Sequence, residues 1–295
     1  MKNSVRWWGA LGERWLLVSA VALVIITVAI IVFIAQRGLA TFLVHNVSPV
    51  EFFFSGLWRP DRTAAEGGPR LGVASFIVGS LLVTSLAVLV AAPLSVLTAF
   101  FIVEIAPGAG RPLIQPAVEI LAGIPSVVYG WVGLSLLVPF LRSRFGGTGF
   151  SVLAGALVLS VMITPTIVSV AWEAIRGFPR EGKEAALALG STRWQTLRWV
   201  VFPAVLPGLI TAVILGMARA FGEALAVQMV IGNIHTLPRS LLDQTITLTS
   251  GITLDMGYTI MDTPWNSALW TMALVLLLMS LAFILISRAV TRRGV

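Results

Sequence analysis

An all-α fold, a polytopic membrane bundle of six transmembrane helices, is what this sequence predicts. Three observations carry the prediction: charge is scarce, six apolar runs are long enough to cross a bilayer, and Lys and Arg cluster in the connectors between them. Only 11% of the 295 residues are charged and 57% are hydrophobic, against about 25% charged in soluble domains. A water-facing surface needs more polar groups than that, so the outer surface faces lipid. Trp15, Trp172, Trp199 and Trp265 lie at or near the ends of apolar runs, at the headgroup level that indole rings favour. The net charge is +7 and the sequence pI is near 11.2, yet no long basic tract exists. Attraction to anionic headgroups and control of topology account for the excess, and no nucleic-acid partner is expected. The absence of Cys excludes disulfides, Cys-based metal sites and Cys nucleophiles.

The spans follow in order. A helix crosses the hydrocarbon core with about 20 residues. Uncharged runs of that length occur at Trp15–Gln36, Leu71–Val103, Ile120–Leu141, Phe145–Trp172 and Thr263–Ser287. A sixth, Trp199–Ala218, continues to Ile231 with Arg219 and Glu223 inside it. The first run has 22 uncharged residues and no small-x-small cleavage site behind it, so it is read as a retained span, not a signal peptide. With both ends inside, twelve Lys and Arg residues fall in the cytoplasm and seven outside, the direction that the positive-inside rule favours. Residues 1–14 then form a cytoplasmic N-terminal segment, 15–290 a single transmembrane domain, and 291–295 a cytoplasmic tail of a cell-membrane protein.

Three connectors are long: Arg37–Arg70 and Gly232–Asp262 outside, and Glu173–Arg198 inside. The first carries turn chemistry in Arg59-Pro-Asp-Arg and Glu66-Gly-Gly-Pro. In the second, Leu241–Leu254 reads as a surface helix that would meet an external solute-binding protein. The inside connector reads as helix: Glu181–Leu189 is rich in Ala, Leu, Glu and Lys. Gly190 stops it, Ser191-Thr192 caps a second short helix, and Pro203 marks the start of the fifth span. Such a helix–Gly–helix element either rests on headgroups or docks into a groove of another protein.

Within the spans, Gly208, Ala212, Gly216, Ala220 and Ala224 recur every fourth residue, a small-residue stripe that lets a neighbouring helix approach closely. Arg219 and Glu223 stand four apart on another face. A charge at the bilayer centre costs about 2.5–3.5 kcal/mol on insertion scales, so neither faces lipid. The two are expected to pair, either fixing helix register or presenting a guanidinium to a passing oxyanion, whose geometry the planar fork of Arg suits. Gly123, Pro125, Gly130 and Gly133 predict a kink or break in the third span. Ser126 is there as a hydrogen-bond donor for a pathway, or the kink serves packing alone. Thr164-Pro165-Thr166 in the fourth span has the same two readings, with packing favoured. Glu119 needs no special role. His45 and His235 lack metal-ligand spacing. No Gly-x-x-x-x-Gly-Lys-Ser/Thr stretch occurs, so ATP is not expected to bind this chain.

Glu184-Ala185-Ala186, Gly190 and Val200-x-Phe202-Pro203 resemble the EAA loop of importer permeases of the ATP-binding-cassette class, with Val200 and Phe202 where Ile and Leu are usual. Gly216-Met-Ala-Arg219-Ala-Phe-Gly222-Glu223 and its continuation to Asn233 resemble a span of the phosphate-specific permeases. Leu121-Ala-Gly123-Ile-Pro125-Ser126-Val-Val-Tyr129-Gly130 resembles their third-span motif. The resemblance runs from about Leu71 to Arg288. Met229-Val-Ile-Gly-Asn233 and Thr247-Leu-Thr-Ser250 look like the PstC-type subunit, while Ala224 and Gln228 stand where the family usually has Thr or another small residue. The resemblance implies a type I importer permease fold and passage of inorganic phosphate. It implies a coupling loop, 173–202, in which Glu184, Ala185, Ala186, Gly190 and Pro203 meet an ATP-binding-cassette ATPase dimer. ATP and Mg would be bound by that ATPase, with no cofactor and no metal in this chain. It further implies a PstA-like second permease and an extracytoplasmic phosphate-binding protein. Arg219, Glu223 and Ser126 are the expected pathway residues, and none is catalytic. Two other readings are a permease for another oxyanion, such as molybdate or sulfate, and a membrane-embedded lipid-phosphate enzyme. The acidic metal-holding motif expected of such an enzyme does not appear in the sequence.

Overall fold

Six helices among the described residues of the computed structural model are long and apolar enough to cross a bilayer. They run Arg14–Leu43, Ala74–Ile105, Ser126–Phe145, Val152–Arg176, Arg193–Phe221 and Pro264–Ile286. The structure describes residues 2–63, 65, 67–106, 108 and 110–293; Met1, Gly294 and Val295, at the ends of the two expected terminal segments, lie outside them. The all-α prediction holds apart from a two-residue antiparallel ribbon, β1 (Trp58–Arg59) against β2 (Arg70–Leu71).

The first span, α1 (Lys2–Leu43), packs near its C-terminal end on the last, α13 (Pro264–Arg293). Gly38 permits this: a Cβ there would lie 3.1 Å from the Trp270 carbonyl oxygen. Thr271 Oγ1 donates to the Gly38 carbonyl at 2.7 Å, and Phe33 meets Trp270 edge to face. Between them stand α2 (Pro49–Phe54), the ribbon and the second span, α3 (Ala74–Phe100), which a wide π-type turn extends through Phe101–Ile105.

The third span is broken, as Pro125 predicts. Helix α4 (Gln115–Gly123) ends, Ile124 and Pro125 are extended, and α5 (Ser126–Val132) begins anew. A π-type turn, Gly133–Leu137, joins α5 to α6 (Val138–Phe145). The expected span boundary at Phe145 is corrected. Gly146, Gly147 and Gly149 have positive φ and turn the chain before α7 (Val152–Arg176) starts. A Cβ at Gly149 would sit 2.2 Å from the Val138 carbonyl oxygen, so the turn needs glycine.

Helices α3 and α7 form the centre, with Val83, Ala87, Leu159, Met162, Ile163 and Ile167 buried between them and their neighbours. The connector helices α8 (Arg180–Ala188) and α9 (Arg193–Thr196) follow. Contrary to expectation, the fifth span does not begin at Pro203. The helix is continuous from α9 through a π-type turn, Leu197–Val201, into α10 (Phe202–Phe221). The widened turn accommodates the missing N–H and the ring of proline. The small-residue stripe of α10 meets α7 as predicted: Ala212 and Ala220 are buried, and a Cβ at Gly216 would lie 2.4 Å from Ile167 Cγ1. Gly216→Val should therefore lower thermal stability in detergent by about 1–3 kcal/mol, as overpacked cores do; an unchanged melting temperature would contradict this packing.

The fifth span also ends early. Residues Gly222–Ala224 are not helical, and α11 (Leu225–Ile231) is a separate piece. The chain then descends to α12 (Leu248–Asp255). The expected surface helix over Leu241–Leu254 is corrected as well: Ile246, Leu248, Thr249, Ser250 and Gly251 are buried, with Ile246 and Leu248 packed against Phe52, Trp58, Phe76 and Met272. Asp255 closes this end, accepting the indole N–H groups of Trp58 at 2.9 Å and Trp265 at 3.3 Å. Hence α2, the ribbon and α12 cap one end of the bundle, and α8 and α9 lie at the other.

Candidate functional site: a break in the fifth span and a connector helix pair

Arg219 occupies the last turn of α10, and its Nη1 donates to Thr166 Oγ1 at 3.0 Å. Thr166 follows Pro165 inside α7. The neighbouring hydroxyls are turned inward to their own helix: Thr164 donates to the Ser160 carbonyl at 2.8 Å and Ser169 to that of Pro165 at 2.9 Å. Thr166 alone of these projects its oxygen to another helix. The guanidinium is exposed in the single chain, although it lies within a span. A lipid-facing position would be costly, so a neighbouring subunit or an aqueous path is its natural environment.

The expected Arg219–Glu223 pair does not form. With the helix ended at Phe221 the four-residue spacing no longer stacks the two side chains. The Glu223 carboxylate instead accepts the Ala226 backbone N–H at 3.0 Å and caps α11. The Glu223 carbonyl accepts Thr249 Oγ1 at 2.8 Å, so the buried start of α12 holds the break from behind. Thr247 in turn caps α12, its Oγ1 accepting Ser250 N–H at 3.2 Å. The third-span break lies on the same side: Tyr129 Oη donates to the Leu121 carbonyl at 2.6 Å across Pro125. Gly130 lets α11 close in, since a Cβ there would sit 2.9 Å from Ala226 Cα. Ser126, half-buried at the first position of α5, makes no side-chain hydrogen bond among the described residues. Two broken spans and one proline-containing span therefore converge around Arg219. Tyr129 and Thr249 are the members that sequence reasoning missed, and Thr166, for which packing was favoured, holds Arg219.

At the opposite end, α8 and α9 form the expected helix–Gly–helix. Gly190 has φ +86° and no atom within 4 Å of a notional Cβ, so glycine is there for conformation and not for space. Thr192 and Gln195 cap α9 reciprocally, at 3.2 and 2.8 Å. Ser191 Oγ ties the pair together by donating to the Ala186 carbonyl at 2.7 Å. Ala186 is buried, whereas Glu184, Ala185, Gly190 and Pro203 are exposed. The same connector presents Leu189 at 90% and Trp194 at 64% exposure.

No cluster of three His, Cys, Asp or Glu side chains stands together among the described residues. His235 lies at the capped end beside the Phe76 ring. Partial burial pulls its pKa below the usual imidazole value, and the charge of Asp255 opposes that shift.

Residues 91–294 match the sequence profile of the binding-protein-dependent transport system inner membrane components. The chain is 52% identical over 281 residues to the probable ABC transporter permease protein YqgH of Bacillus subtilis (strain 168), covering 94% of this chain and 90% of that one. It is 35% identical over 264 residues to the phosphate transport system permease protein PstC of Xylella fastidiosa (strain Temecula1 / ATCC 700964), covering 83% and 79%. Among solved structures, a bacterial alginate ABC transporter chain superposes with a TM-score of 0.63 at 16% identity over 97% of both chains, a likeness of fold.

Proposed function

Because the chain belongs to the family of binding-protein-dependent transport system inner membrane components, we propose that it is the PstC-type permease subunit of a phosphate importer. It is a multi-pass plasma-membrane protein and an ABC importer permease, a transport component that does no chemistry itself. That removes the lipid-phosphate enzyme reading. The observation that carries the substrate assignment is Arg219, held by Thr166 where the fifth span breaks, in a chain 35% identical to a phosphate permease.

In this reading the twofold fork of Arg219 offers transient charge complementarity to phosphate. Glu223 keeps the break open by capping α11, and Ser126 supplies a hydroxyl from the third-span break. Among the described residues the site has one cation, Arg219, which suits passage better than tight binding. The capped end faces outside, towards an extracytoplasmic phosphate-binding protein, with both termini in the cytoplasm. A PstA-like second permease covers the exposed side of Arg219. The apolar face of α8 and α9, with Glu184, Ala185 and Gly190, seats on an ATPase dimer that binds the ATP and Mg. Competition of labelled phosphate uptake by unlabelled anions tests the substrate: phosphate should compete fully, and sulfate and molybdate should not. Uptake displaced equally by sulfate or molybdate would reassign the oxyanion.

A further inference from the structure

Lys183 Nζ of α8 donates to the Glu104 carboxylate in the π-type turn that ends the second span. Three ion pairs exist among the described residues, and the other two, Arg37–Asp262 and Arg70–Glu51, lie at the capped end. Lys183–Glu104 is thus the one ion pair there between the helix–Gly–helix connector and the transmembrane body. Its side chains are 22% and 18% exposed, sheltered enough that salt screens it less than a surface pair. Packing does not replace it. The two residues line a cavity of about 410 Å³ shared with Leu187, Arg193 and Trp194, so apolar contact between α8 and the second span is interrupted beside them. The turn that carries Glu104 is itself anchored, because Ile102 is buried with Val118 of α4 and Val168 of α7.

From Glu104 the second span runs as one helical stretch to Ala74, with Pro93 inside it, 32 residues counted from Ile105, or about 48 Å at 1.5 Å per residue. Its far end touches the substrate region through short contacts. Ser80 Oγ accepts the Leu248 N–H at 2.8 Å, and a Cβ at Gly79 would lie 2.1 Å from the Ile246 carbonyl oxygen. One residue beyond Leu248, Thr249 donates to the Glu223 carbonyl. We infer that the Lys183–Glu104 pair is the joint through which movement of the connector helix reaches the second span, and that this span carries it to the break beside Arg219. The pair is a positioning element of transport and does not itself touch substrate. The fifth span offers a covalent route as well, since the helix is continuous from α9 through the π-type turn at Leu197–Val201 into α10, and the second span adds a route that is tied by side-chain contacts at both ends.

The inference rests on the proposed transport function. Its test is the assembled complex of both permeases, ATPase and binding protein in proteoliposomes, measured as phosphate accumulated per ATP hydrolysed. Glu104→Gln and Lys183→Met should each lower that ratio about five- to tenfold, within the usual range of coupling between sites, while the ATPase still co-purifies. The exchanged double variant, Glu104→Lys with Lys183→Glu, should recover at least half of the wild-type ratio. A merely structural role would change assembly or melting and leave the ratio alone. Single variants with the wild-type ratio, or an assembled exchange variant no better than the singles, would overturn the joint. Wild-type complex that hydrolyses ATP and accumulates no phosphate would strike the transport reading itself, a result separable from failure of the joint.

Discussion

Arg219→Gln is expected to abolish phosphate uptake while the complex still assembles and still hydrolyses ATP. The substitution keeps an N–H donor on a polar side chain but shortens it, removes the fork and removes the charge. Hydrogen bonds to charged groups are worth about 1.5–3 kcal/mol, so loss of a paired contact at the crossing point should lower the rate at least about 30-fold. Arg219→Lys should fail nearly as badly, because an ammonium cannot hold Thr166 Oγ1, now 3.0 Å from Nη1, and offer a planar fork to the ion together. Thr166→Val should give a milder loss, about tenfold, the low end for one hydrogen bond to a charged group, and Thr166→Ser should restore it. Radiolabelled uptake beside recovery of the intact complex checks all four, and wild-type uptake by Arg219→Gln would contradict the pathway.

Gly190→Pro should separate the permease from its ATPase. The native φ of +86° is closed to proline, whose ring fixes φ near −65°. The substitution also removes the Gly190 N–H, which donates to the Leu187 carbonyl at 3.0 Å. The helix pair would lose its turn and with it the docking face around Leu189 and Trp194, while the six spans, built on α3 and α7, would stand. Purified from membranes, the variant should bring down the second permease but not the ATPase, and uptake should fall to background. Gly190→Ala is the graded control. Open space surrounds its Cβ, so only the left-handed backbone is penalised, by about 1–2 kcal/mol, and partial function is expected. A Gly190→Pro variant that retains the ATPase would remove this turn from the coupling joint.

Hydropathy made the six spans legible because burying uncharged runs in lipid leaves little choice. It could not place every helix end. Arg142 and Arg144 keep the third and fourth spans apart, but hydropathy counts the uncharged glycine turn before Ser151 into the fourth, and it carries the fifth through Gly222–Ala224 to Ile231 although Glu223 stands there. The expected Arg219–Glu223 pair failed for that reason: spacing of four means adjacency only on an unbroken helix. A Gly-Glu step three residues before a helical N–H was the available sign of a cap. Pro125 did announce its break, with Gly123 and Gly130 beside it, whereas Pro93, Pro165 and Pro207 sit inside continuous helices. Thr249 and Ser250 were read as surface because hydroxyls in an external connector usually are. Their burial depends on the chain folding back between α3 and α13, a tertiary fact with no local signature. Gly190 was legible throughout, as a left-handed stop needs nothing but glycine.

The most direct measurement is ATP-driven phosphate accumulation by the complete complex in sealed proteoliposomes, wild type beside Arg219→Gln, with binding protein on the capped side and ATP on the side of α8 and α9. Accumulation by the wild type that requires both, and its loss in the variant at unchanged ATP hydrolysis, is the predicted result. Equal accumulation by the two proteins, or none by a wild-type complex that hydrolyses ATP, would contradict it.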